Sequence, residues 1–131
     1  MKDPVRNKSV AETPEEAVRQ AVIFYLHRER NIPIGLMSVE KGHVNLGDSK
    51  RADLVVYDRK GAPWMVVECK APSVKLTQAA LNQVARYNQY YKAPFLLVTN
   101  GSSHYCAHVQ DEMITFLTEL PTWPDSKSNG D

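Results

Sequence analysis

Asp53, Glu68 and Lys70 are the side chains whose types and spacing suggest chemistry in this chain. They lie within RADLVVYDRKGAPWMVVECK, residues 51–70, where two apolar runs, LVVY and WMVV, flank the polar piece DRKGAP. Gly61 and Pro63 mark that piece as a turn, so the stretch reads as a β-hairpin. With Lys60 and Gly61 as the central turn residues, Asp53 falls opposite Glu68, Val55 opposite Val66, and Tyr57 opposite Trp64. Alternation along a strand places Glu68 and Lys70 on one face and Cys69 on the other. Directly opposed residues have Cβ atoms roughly 4.5–5.5 Å apart, and like charges so placed repel. Their apolar neighbours leave the two carboxylates no loose surface on which to splay, so the pair needs a proton or a cation between its oxygens. A hard divalent ion with oxygen ligands, Mg²⁺ or Mn²⁺, meets that need. Lys70 then stands beside the ion, where it can hold a phosphate oxygen or orient a water. Pro63 keeps a second register open, because it lacks an N–H and can lengthen the turn. A slip of one residue moves Asp53 to the other face. The plain alternative is an edge hairpin with a surface Glu-Lys pair.

Several elements must position these groups. Thr13-Pro14-Glu15-Glu16 opens a helix, with Thr13 as N-cap, Pro14 at the first helical position and Glu16 closing a capping box. Val18, Ala21, Val22, Tyr25 and Leu26 form its apolar stripe, with Arg19, Arg28 and Arg30 on or near the polar side. The helix ends near Asn31, before the Ile32-Pro33 step. Residues 34–44 read as a weakly patterned strand, followed by a loop at Asn45-Leu46-Gly47-Asp48 and the basic approach Ser49-Lys50-Arg51. The hairpin strands, 52–57 and 64–70, are apolar on both faces. Leu54, Val56, Met65 and Val67 share one face; Val55, Tyr57, Trp64 and Val66 share the other. A sheet apolar on both faces must be covered on both, which predicts an α/β sandwich. Thr77 caps a second helix over 78–91, with Ala80, Val84, Tyr87 and Tyr91 as its stripe and Gln83 beside it. Phe95-Leu96-Leu97-Val98-Thr99 reads as a buried strand, and 104–109 as another. Residues 113–117 fit either a strand or a helical turn. Residues 1–12 are polar and read as flexible, 13–120 as a single domain, and 121–131 as a disordered tail.

The totals set limits. The chain has 131 residues, enough for one domain with a modest core. A formal net charge of +1 gives no global pull on nucleic acid, so any such affinity must be local. No apolar run long enough to span a membrane occurs, and the N-terminus lacks the apolar segment of a signal peptide. Cys69 and Cys106 lie in apolar strands and read as buried free thiols, which fits a reducing cytoplasm. His104 and His108 share a strand face without a third ligand and, like His27, read as structural.

The order helix, strand, hairpin with Asp…Glu-x-Lys, helix, strand resembles the PD-(D/E)xK, restriction-endonuclease-like nuclease fold. The chain is similar in particular to the N-terminal nuclease domain of type I restriction enzyme R subunits. The residues carrying the resemblance are TPEEAVRQ, RADLVVYD, VVECKAP and QVARYNQYY, the last containing Gln83-x-x-x-Tyr87. Ala52 stands where the general pattern has a Pro before its first Asp. The resemblance implies a three-layer α/β/α core with a mixed sheet of about four to six strands flanked by two main helices. It implies a divalent-metal-dependent endodeoxyribonuclease using Mg²⁺ or Mn²⁺. Asp53, Glu68 and the backbone carbonyl of Cys69 would be metal ligands, and Lys70 the catalytic lysine. Glu16 matches the first-helix acid that completes the metal site in many such nucleases. Glu15 competes for that role, and a capping box explains Glu16 equally well. Gln83 and Tyr87 would line the site and contact DNA or support Lys70, with helix packing an equal account of Tyr87. Lys50, Arg51, Arg59 and Lys60 lie near the hairpin and could contact the DNA backbone. A complete R subunit also carries a helicase motor, and no G-x-x-x-x-G-K-[ST] loop occurs here. The expectation is therefore a solitary nuclease domain or a piece of a larger subunit. Its partners would be DNA and, within a restriction system, motor, methylation or specificity subunits; a homo-oligomer is compatible. The alternative function is a non-cleaving nucleic-acid-binding or assembly module that retains the fold.

Overall fold

A computed structural model describes residues 2–9, 12–39 and 52–125, with the side chain of Lys8 excepted. Among the described residues the main sheet has six strands, each adjacent in space to its neighbour in sequence. They are β3 (Met37–Val39), β4 (Leu54–Tyr57), β5 (Pro63–Cys69), β6 (Phe95–Thr99), β7 (His104–Gln110) and β8 (Met113–Leu117). Every pairing is antiparallel except β5 with β6, which are parallel. Parallel neighbours need a crossover, and α2 (Gln78–Tyr91) supplies it. Helix α1 (Pro14–Arg28) precedes the sheet, and a short hairpin, β1 (Lys2–Asp3) with β2 (Lys8–Ser9), precedes α1. No helix among the described residues is long and apolar enough to cross a membrane.

Period-two alternation divides the core into two clusters, one on each face of the sheet. Val18, Ile23 and Leu26 of α1 pack with Leu54, Val56, Met65, Val67 and Leu97. Val84, Tyr87 and Tyr91 of α2 pack with Val55, Val66, Leu96 and Val98. The chain is thus a three-layer α/β/α sandwich, as the two-sided apolar pattern of the hairpin predicts. The undecided stretch near Met113 is the edge strand β8, paired along its length with β7.

The hairpin register follows the expected pairing in its central part. Leu54 faces Val67, Val55 faces Val66, and Val56 faces Met65. It departs at the turn, where Tyr57 faces Pro63 and not Trp64. Asp58 N donates to Ala62 O at 2.9 Å and Gly61 N to Asp58 O at 3.0 Å, so the central turn residues are Arg59 and Lys60. Gly61 follows at φ +88°. Trp64 is left as the extra residue of a bulge. That shift carries its ring to the α1 side, beside Met65, whereas the sequence pattern puts it with Val55 and Val66. An added Cβ at Gly61 meets nothing within 4 Å, so the demand there is purely conformational. Gly61→Ala is expected to cost about 1–2 kcal/mol, the penalty of a left-handed L-residue, read as a lower urea midpoint with unchanged slope.

Four other elements differ from expectation. The buried residues of α1 are Glu16, Val18, Gln20, Ile23 and Leu26, while Ala21 and Tyr25 are exposed. The inward line begins with polar residues, so a stripe counted from apolar residues alone is rotated away from it. Helix α1 stops at Arg28, with Glu29 as its C-cap. The strand expected over 34–44 begins as a 3₁₀ turn, Ile34–Leu36, before β3; residues beyond Val39 and the 45–48 loop lie outside the described residues. Finally, both polar ends carry ordered contacts. Asp3 is fully buried in the β1–β2 hairpin, where its Oδ1 accepts the backbone N–H of Val5 at 2.8 Å. Trp123 is 4 % exposed within the α1-side core, its Nε1 donates to Tyr57 O at 3.0 Å, and the Arg59 guanidinium lies 5.1 Å from its ring centre. Polar composition hides both anchors, because one buried aromatic or one satisfied carboxylate suffices to hold a short segment.

Candidate active site

The start of β4 and the end of β5 meet at one end of the central sheet, and there the hairpin acids come together. Asp53 lies at a bend one residue before β4, and its N–H still joins the ladder, donating to Val67 O at 3.1 Å. Its Oδ2 accepts the Cys69 N–H at 2.7 Å, which ties the carboxylate across to the neighbouring strand. Glu68 is 7 % exposed and lies close enough to Asp53 to feel its charge. Lys70 Nζ stands 2.9 Å from Glu68 Oε2. Asp53, Glu68 and Lys70 therefore form one contiguous group, as the register predicts.

The electrostatics follow from the crowding. Burial, and then the adjacent charge of Asp53, push Glu68 up to about 7 against the opposing pull of Lys70. Burial by itself would lower Lys70, but the hydrogen bond and charge of Glu68, with Asp53 and Glu15, hold its ammonium above the ordinary lysine range. Lys70 is accordingly a fixed cation near neutrality, not a base. Burial and the Asp53 charge likewise push the Cys69 thiol well above its ordinary value. Cys69 and Cys106 are both buried free thiols.

Arg19 joins the group from α1, and sequence reasoning missed it. Its Nη2 lies 2.9 Å from Asp53 Oδ1 and 3.5 Å from Glu15 Oε2, while Nη1 pairs with Glu16 Oε1. Burial opposes its charge, but Asp53 and Glu16 prevail and raise its pKa. Its Nε is buried and has no hydrogen-bond partner among the described residues. Glu16 stands behind this guanidinium. Its Oε2 accepts Arg6 Nη2 at 3.0 Å and Gln20 Nε2 at 2.7 Å, so both of its oxygens are engaged. Thr13 caps the Glu16 N–H at 3.1 Å, which realises one half of the expected capping box. The overlooked signal was spacing: Glu16, Arg19, Gln20 and Ile23 fall at i, i+3, i+4 and i+7, one line along the helix.

The remaining candidates are placed as follows. Tyr87 is 4 % exposed and belongs to the α2-side core; Gln83, one turn earlier, is half-buried. Lys50 and Arg51 lie outside the described residues. Arg59 is paired with Asp125 at 3.0 Å, and Lys60 is exposed in the turn. His27 Nδ1 bonds with Ile32 O at 2.9 Å, His104 Nδ1 with Thr99 Oγ1 at 2.7 Å, and His108 packs on Phe95 with ring centres 5.1 Å apart. These three histidines are therefore structural. Among the described residues no group of three or more His, Cys, Asp or Glu side chains converges as a metal site. The donor set at this sheet end is two opposed carboxyls. Such a set suits Mg²⁺, which usually keeps several waters and is bound through one or two carboxylates.

The family model described as type I restriction enzyme R protein N terminus (HSDR_N) matches residues 14–121, which include both helices and the whole sheet. No curated protein gives a significant match to the chain.

Proposed function

The chain belongs to the type I restriction enzyme R protein N-terminal family, and from that premise we propose that it is a divalent-metal-dependent endodeoxyribonuclease domain. The observation that carries the proposal is the Asp53–Glu68 pair with Lys70 2.9 Å from Glu68. Opposed acids raise the free energy of the bare site, and a cation relieves it. Asp53, Glu68 and the Cys69 backbone carbonyl would hold Mg²⁺ or Mn²⁺. The ion supplies Lewis-acid polarisation of a phosphate and a nucleophile at neutral pH.

The protein's own groups do the rest. The Cys69 N–H donates to Asp53 Oδ2 at 2.7 Å and so orients that carboxylate. The Lys70 ammonium sits where negative charge grows on a phosphodiester under attack and stabilises it. Glu16 contributes through Arg19, which it anchors, and Glu15 flanks the same guanidinium. Gln83, Lys50 and Arg51 are the residues proposed to contact DNA, chiefly its backbone, and Tyr87, 4 % exposed, is proposed to support the site from the α2-side core. The partners follow the family: DNA, with other restriction-system subunits.

Incubation of supercoiled plasmid with the protein and Mg²⁺ or Mn²⁺ tests the proposal. Nicking is expected, absent in EDTA and absent in Asp53→Asn, which keeps the side chain's shape but not its charge. A folded protein that binds DNA and nicks nothing under any divalent metal would instead be a non-cleaving binding or assembly module.

A further inference from the structure

We infer that Arg19 is a built-in counter-ion that competes with the divalent cation for Asp53, and that Glu15 is the acceptor prepared to take it over. The inference rests on the proposed metal role of Asp53 and Glu68 and specifies how that site is regulated from α1.

Asp53 offers few vacant positions. Its Oδ2 is committed to the Cys69 N–H at 2.7 Å, and its Oδ1 to Arg19 Nη2 at 2.9 Å. A cation held through Asp53 Oδ1 must share that oxygen with the guanidinium or displace it. A guanidinium is never deprotonated in a protein, so Arg19 carries its charge at every working pH.

Arg19 also has somewhere to go. The same Nη2 lies 3.5 Å from Glu15 Oε2, and the Glu15 side chain is 48 % exposed and can follow it. Glu16 has less room for the freed donor, since its Oε2 already accepts Arg6 and Gln20 and its Oε1 accepts Arg19 Nη1. Glu16 is instead the pivot, keeping Nη1 while Nη2 exchanges Asp53 for Glu15. Arg6 reaches Glu16 from residues 2–9, which precede the segment matched by the family. The β1–β2 hairpin therefore helps to hold the pivot. Arg19 is a positioning residue in this account, not a catalytic one.

Titration calorimetry with Mn²⁺ as the probe distinguishes this role from a purely structural tie. Loss of a tie can only weaken ion binding, whereas loss of a competitor strengthens it. Arg19→Gln is expected to bind Mn²⁺ about tenfold or more tightly than wild type, because a fixed like charge leaves the site. Arg19→Lys is expected to fall between the two, since one ammonium cannot span Asp53 and Glu16 together. Unchanged or weaker binding in both variants overturns the inference while leaving the metal site standing. If Arg19→Gln does not fold, Arg19→Lys decides alone: tighter than wild type supports competition, equal or weaker rejects it. Absence of Mn²⁺ binding in wild type and in both variants rejects the metal site itself, and the competition with it. Binding confined to the variants and lost when Asp53→Asn is added supports both.

Discussion

Lys70→Ala is expected to lower the nicking rate on the order of 10²–10³-fold, the usual effect of removing one preorganised electrostatic stabiliser, while plasmid binding persists. Two consequences compound. The substitution removes a cation that lies 2.9 Å from Glu68. It also removes the group that opposes protonation of Glu68, since burial and Asp53 already push that carboxyl up to about 7. The bare acid pair then holds its proton more firmly and offers less charge to an ion. Single-turnover nicking measured beside a gel-shift titration separates catalysis from binding. Equal nicking by Lys70→Ala and wild type would remove Lys70 from the mechanism. A parallel loss of binding would mark it as a DNA contact only.

The second large effect concerns stability and needs no substrate. Glu68 titrates at about 7 in the folded protein against an ordinary 4.5. Between those values the folded chain keeps a proton that the unfolded chain releases. Rising pH therefore destabilises the fold across that window, and the loss is complete above it. Glu68→Gln mimics the protonated carboxyl and can still donate to Asp53. Without metal at pH 8 it is expected to be more stable than wild type by about 1–3 kcal/mol, allowing for the lost bond to Lys70. The gap should narrow as pH falls through that window. Urea unfolding in EDTA at pH 5 and pH 8 measures it. A Glu68→Gln protein less stable than wild type at pH 8 would show that the charged form of Glu68 is the one the fold prefers.

Both expectations depend on a geometry that local sequence reached only in part. The alternating apolar runs around Val55 and Val66 specified the strand pairing, because a slip of one residue would turn a whole face outward. They also required cover on both faces, which α1 and α2 provide. The order of motifs pointed to the family, and the family model's match to residues 14–121 bears that out. The turn was less legible. Whether Gly61 is a central turn residue or the left-handed residue after it depends on one backbone hydrogen bond, and the side of the sheet that Trp64 occupies follows from that choice.

The sequence by itself determined the two helices and the central strands, the pairing of the central hairpin and the adjacency of Asp53, Glu68 and Lys70, since each is set by periodicity within one short stretch. Only the tertiary structure decided that Arg19 completes the group. A bond between residues 34 apart depends on how α1 is rotated against the sheet. That rotation is fixed by the whole α1-side core, Ile23 and Leu26 among it, and not by any motif. The same long-range packing anchors Arg6 on Glu16 and Trp123 on Tyr57, where local composition reads only as polar chain ends.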